Sequence, residues 1–125
     1  MTNLAAPLGR LFMALIFILS GAGKLASPAG AGAYMHQAGL PAALAIPAGL
    51  FEVLAGLAIV LGWQTRIVAI LLAGFCLLTA GLFHGHFADQ MQMVMAMKNL
   101  AMAGGFLMLF AHGAGAMSLD ARQGR

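Results

Sequence analysis

Four apolar runs, roughly residues 8–25, 41–62, 67–84 and 93–111, are divided by short polar breaks, and this pattern limits what the chain can fold into. At 1.5 Å per residue, a helix of about 18 residues spans roughly 27 Å, most of a bilayer's hydrocarbon core. Hydrocarbon offers no partner to a backbone N–H or C=O, so runs of this kind cross it as helices that satisfy those groups internally. Composition agrees. Only 7% of the residues are charged and mean hydropathy is +0.97, whereas about a quarter of a soluble domain is charged. The expected fold is all-α: an integral membrane four-helix bundle with four transmembrane spans, residues 1–125 forming a single domain. Six Lys and Arg against three Asp and Glu give a net charge of +3. They form no basic patch, which argues against a nucleic-acid partner and leaves the bilayer as the expected surroundings.

The first run follows Arg10 and ends in small residues, which is also the form of a secretory signal. Lys24 interrupts its end, and a spanning helix is the preferred reading. A Gly/Ala/Pro-rich connection from Ser27 to Leu40 carries Tyr34, Met35, His36 and Gln37, with Tyr34 suited to a membrane interface. Pro41 opens the second helix and Pro47 is expected to kink it. Gly62-Trp63-Gln64-Thr65-Arg66 closes a hairpin. In the third run Ala69, Ala73, Cys76 and Ala80 form one stripe, and Cys76, the only cysteine, reads as a packing residue that has no disulfide partner in the chain. The Gly-rich tail after Gly113 is too short to fold alone and is expected along the membrane surface.

Basic residues set the topology. Four spans place Arg10, Arg66, Arg122 and Arg125 on one side, so the positive-inside rule puts both termini in the cytoplasm. Lys24, Lys98, His36, His84, His86 and Asp89 then belong to the outer half or the outer face.

One carboxylate, Glu52, sits in the middle of the second run. A charge near a bilayer centre costs several kcal/mol, about +2.5 or more, and so usually turns inward toward a partner. Gly49 and Gly56 share its helix face, and small residues mark faces where helices approach closely. The partners at matching depth are Lys24 and Lys98, with Asn99 adding a hydrogen bond. Lys98, Gly105 and His112 fall seven apart on a face expected to point inward. The cluster Glu52, Lys24, Lys98 and Asn99 reads either as an ion pair that fixes helix register or as a ligand site, and its second lysine leaves a positive charge unmatched. Proton transfer at Glu52 is a third reading, although no full proton path is visible. A competing site of another class lies on the outer face. His84, His86, Met91 and Met93, near Met35 and His36, combine imidazole and thioether ligands that suit copper, although methionine is also a common apolar filler.

Taken in order, Ser20-Gly21-Ala22-Gly23-Lys24-Leu25, Ala38-Gly39-Leu40-Pro41, Glu52 with Gly56, Leu61-Gly62 with Arg66, Lys98-Asn99 through Gly104-Gly105, and Ser118-Leu119-Asp120 run nearly the length of the chain. In that order they resemble the DoxX family of small membrane proteins. Gly113-Ala114-Gly115 departs from the family's usual Gly-Pro-Gly, for which a looser turn is the expectation. The resemblance implies a four-helix membrane fold and an association with oxidoreductase systems, among them the DoxD/DoxA pair that oxidises thiosulfate with quinone reduction. It assigns no catalytic residues. With no cysteine pair and no haem or iron–sulfur motif, electron transfer would require a cofactor such as quinone. The expectation is a membrane subunit or accessory of a quinone-linked oxidoreductase, partnered by another subunit or by a second copy of itself. The alternative is a small-molecule or copper-binding transport module.

Overall fold

The computed structural model describes residues 4–37, 39–83 and 90–124, which are helical apart from turns and contain no strand. In chain order the helices are α1 (Ala5–Ala26), α2 (Pro28–Gln37), α3 (Ala45–Leu61), α4 (Thr65–Phe83), α5 (Gln90–His112) and the single turn α6 (Leu119–Arg122). Three stretches are long and apolar enough to cross a membrane: α1, α5, and α3 together with the 3-10 turn Ala42–Leu44 that leads into it. The apolar stretch Thr65–Gly81 of α4 is shorter, about 26 Å at the helical rise. Outward residues such as Phe12, Leu19, Leu54 and Met108 are exposed. Large apolar side chains on the outside with small ones within is the arrangement that lipid favours.

Two details differ from the sequence reading. The connection after Ser27 contains a ten-residue helix, α2, whose Gly/Ala/Pro composition gives little apolar contrast to read. Pro47 does not kink a helix begun at Pro41. The α-helix starts at Ala45, so Pro47 falls in its first turn, where a missing N–H breaks no helical hydrogen bond.

The helices associate as two close pairs, α1 with α3 and α4 with α5, and the pairs approach each other less closely. Glycine explains the first pair. A Cβ on Gly21 would lie 2.6 Å from the Gly49 carbonyl oxygen, and one on Gly56 would lie 2.7 Å from Ile18 Cγ1. In the second pair Ala69, Ala73 and Cys76 of α4 and Ala96 and Ala103 of α5 are buried. Ala80, on the same predicted stripe, is only partly buried.

Aromatic edges fill the seam between the pairs. Phe17 of α1 meets Phe106 of α5 and Phe75 of α4 at centroid distances of 5.5 and 6.2 Å, both edge-on, and Phe51 of α3 meets Phe75 at 5.3 Å. Such pairs keep backbones apart while burying large apolar area.

At one end of the bundle the seam is tied by polar groups. Arg10, 2% exposed, donates from Nη1 to the carbonyls of Ile59 and Val60 at 3.2 and 3.0 Å, and from Nη2 to that of Met117. The Ile59 and Val60 carbonyls lie in the last turn of α3, at the negative end of its dipole, and the Ile59 carbonyl also accepts from the Gly62 N–H at 3.1 Å. Asp120 caps the next helix: its carboxylate accepts from the backbone N–H groups of Gln64 and Thr65 at 2.7 and 2.8 Å. Its own N–H donates to the Gly62 carbonyl at 2.9 Å. Gly62 and Gln64 both take positive φ, 71° and 50°, which turns successive N–H groups toward the carboxylate. Ser118 starts α6 by accepting from the Ala121 N–H at 3.1 Å. The tail after Gly113 is therefore folded against the α3–α4 turn, with Ala114, Ser118 and Asp120 buried.

Candidate functional site

Toward the opposite end, Glu52 lies 3% exposed on α3, on the same buried face as Gly49 and Gly56. Those glycines bring α1 close enough for Lys24 to reach it. Lys24 Nζ donates to Glu52 Oε2 at 2.9 Å, to Oε1 at 3.1 Å and to Ser20 Oγ at 2.8 Å, and Ser20 Oγ donates to Oε2 at 3.2 Å. Ser20 and Lys24 are four residues apart and share a face of α1. Lys24 also sits in the last turn of α1, where a cation complements the helix dipole.

Of the partners expected for Glu52, the structure supplies Lys24. The supporting hydrogen bond comes from Ser20, not from Asn99. Four-residue spacing from Lys24 was the available sign of Ser20.

Beside this cluster, between the two helix pairs, is a cavity of about 870 Å³. Its polar wall holds Ser20, Lys24, Glu52, Lys98 and Asn99, and its apolar wall includes Phe17, Phe51, Phe75, Cys76, Met35 and Met102. The four cluster residues read from the sequence thus border one space, although they do not all bond to one another. Asn99 is 7% exposed, and its side-chain amide has no hydrogen-bond partner among the described residues; Lys98, partly buried, likewise forms no ion pair there. Both side chains border the cavity, so these two donors are groups that a ligand with acceptor oxygens could reach. Two ammonium groups and one carboxylate also leave the wall with net positive charge. In size and lining the cavity falls within the usual range for small-molecule sites, about 300–1,000 Å³.

Other expected features are not brought to this space. His112 is exposed and does not face inward with Lys98, while Gly105 lies against Met13. Met91 and Met93 are 65% and 47% exposed on α5. His84, His86 and Asp89 lie outside the described residues, as does the side chain of Tyr34. Among the described residues no group of three or more His, Cys, Asp or Glu is placed to hold a metal. The sequence reading missed the tie of Arg10 and Asp120, because Arg10 was weighed as a topology signal and its partners are backbone carbonyls with no signature in side chains.

Known proteins match the chain over most of its length. The DoxX family model covers residues 5–85. "Inner membrane protein YqjF" of Escherichia coli (strain K12) is 45% identical over 111 residues, 89% of this chain and 85% of that protein. "Inner membrane protein YphA" of the same organism is 38% identical over 123 residues, 92% of this chain and 87% of that protein. No solved structure matches significantly. The relatives and the membrane-spanning helices agree on location, and the chain belongs to the DoxX family of inner-membrane proteins.

Proposed function

We propose that the chain is a membrane subunit or accessory of a quinone-linked oxidoreductase system, and that its cavity is the quinone site. The observation that carries this reading is the pairing of an aromatic-lined cavity with two donors, Lys98 and Asn99, that are unused among the described residues, at one wall. A quinone ring fits between Phe17, Phe51 and Phe75, and its carbonyl oxygens accept from Asn99 and Lys98. When bound, quinone supplies the two-electron chemistry that these side chains lack. The chain's own residues bind and orient it, and Lys24 and Ser20 hold Glu52 in place in the wall. In this reading α4 is the fourth span. Both termini are cytoplasmic, because exposed Arg66 and Arg122 gather at the tied end, and the cavity lies in the outer half of the membrane.

The test is organic extraction of protein purified from membranes, with quinone counted per protein. We expect a near-stoichiometric amount in the native chain, little in Lys98→Met and Asn99→Leu, and a retained fold in both variants. Native protein free of quinone, and unable to take it up on addition, would end this reading.

A further inference from the structure

The cavity is not closed by the polar cluster at its rim. Ile16 of α1 and Leu78 of α4 both line it, yet they are 37% and 59% exposed. A side chain that borders a cavity and also faces outward marks an opening. Here the outside, at mid-helix depth, is the acyl-chain region of the bilayer.

The opening has a cause in the packing. Tight association is confined to α1 with α3 and α4 with α5, whereas α1 and α4 meet through side chains such as Phe17 and Phe75. Beyond that aromatic contact, Ile16 of α1 and Leu78 of α4 both line the cavity and are both exposed, which places the slot between these two helices. Asn99 and Lys98, whose side chains form no hydrogen bond or ion pair among the described residues, line the same space. One end of the space is therefore polar and internal, and the other is apolar and continuous with lipid.

We propose that this slot between α1 and α4 is a lateral entrance from the bilayer, and that the site takes a tailed lipid quinone whose head lies at Asn99 and Lys98 and whose tail stays between Ile16 and Leu78. The proposal rests on the quinone reading and narrows it, because a water-soluble ligand would have no use for the slot. Burying a tail there adds affinity in proportion to the methylene groups removed from competing surroundings, and it fixes the direction in which the head group enters.

The test uses full-length protein in lipid nanodiscs, titrated with two probes and corrected by empty nanodiscs. One probe is a dimethoxy-methyl-benzoquinone bearing a decyl tail; the other is the same head group without the tail. Ile16→Trp and Leu78→Trp fill the slot from exposed positions outside the polar wall, and size-exclusion profiles report their folding. We expect each tryptophan to weaken the tailed probe by about tenfold or more, as for the loss of roughly two buried methylenes, and to leave the tail-less probe within about twofold of native. Asn99→Leu is expected to weaken both probes. If native protein binds both quinones and Asn99→Leu weakens both, but neither tryptophan discriminates between them, lateral entry is overturned while the quinone site stands. If native protein binds neither probe, both readings fall together.

Discussion

Among the described residues two buried charged centres stand out, one near each end, and they are used in opposite ways. At the tied end Arg10 and Asp120 direct their charge at backbone: the guanidinium donates to carbonyls at the end of α3 and at Met117, and the carboxylate accepts from N–H groups at the start of α4. At the cavity, Lys24, Ser20 and Glu52 bond to one another, while Lys98 and Asn99 use their side chains in no hydrogen bond or ion pair among the described residues. A charge engaged with helix termini fixes geometry and leaves little for a ligand. Donors left over beside an apolar space do the reverse. The difference lies in the partners and not in burial, since Arg10 and Glu52 are almost equally buried, at 2% and 3%.

The strongest test of this contrast is Arg10→Leu. It removes three hydrogen bonds from the guanidinium to backbone carbonyls and a buried cation whose field acts together with the Asp120 carboxylate. We expect a loss of about 3–5 kcal/mol, read as failure to recover monodisperse protein or as early unfolding in mixed micelles. Asp120→Ala removes two hydrogen bonds to a charged acceptor at the α4 N-terminus. A loss of about 2 kcal/mol is expected, with Asp120→Asn recovering part of it in the same assay. Gly21→Ala tests the α1–α3 pair that delivers Lys24 to Glu52, since its Cβ would meet the Gly49 carbonyl. The cost should be about 1–3 kcal/mol, accompanied by a weaker Lys24–Glu52 coupling in a double-mutant cycle. Gly104, with nothing near its Cβ position, should accept alanine without loss. Lys98→Met is expected to change stability by less than about 0.5 kcal/mol, while removing quinone from the proposed site. If Lys98→Met proved as damaging to the fold as Arg10→Leu, the division between the two centres would collapse.

The sequence showed one centre better than the other for a physical reason. Glu52 stands out because a carboxylate in an apolar run needs a partner, and candidate partners can be found by depth. Lys24 follows from that argument, and Lys98 and Asn99 reach the same cavity. The helices were legible to within a few residues, because apolar run length is a direct reading of the bilayer. Arg10 was less legible. Its partners are carbonyls at Ile59, Val60 and Met117, and any residue there would present the same oxygen. Asp120 caps a helix that begins 55 residues earlier, beyond the range of any local capping signal. The cavity itself depends on how two helix pairs are spaced, a property of Phe17, Phe51 and Phe75 acting together and not of any single position.

The aromatic seam has a mechanical consequence. The α1–α3 and α4–α5 pairs are joined covalently and by the Arg10 and Asp120 bonds at one end, whereas Phe–Phe edges can slide past one another without breaking a hydrogen bond. A relative motion of the pairs that kept the tied end intact would be a rotation about it, like the jaws of tweezers about their joint. Its amplitude would grow with distance from that pivot, so a small angular change there would open the space beside Lys98 and Asn99.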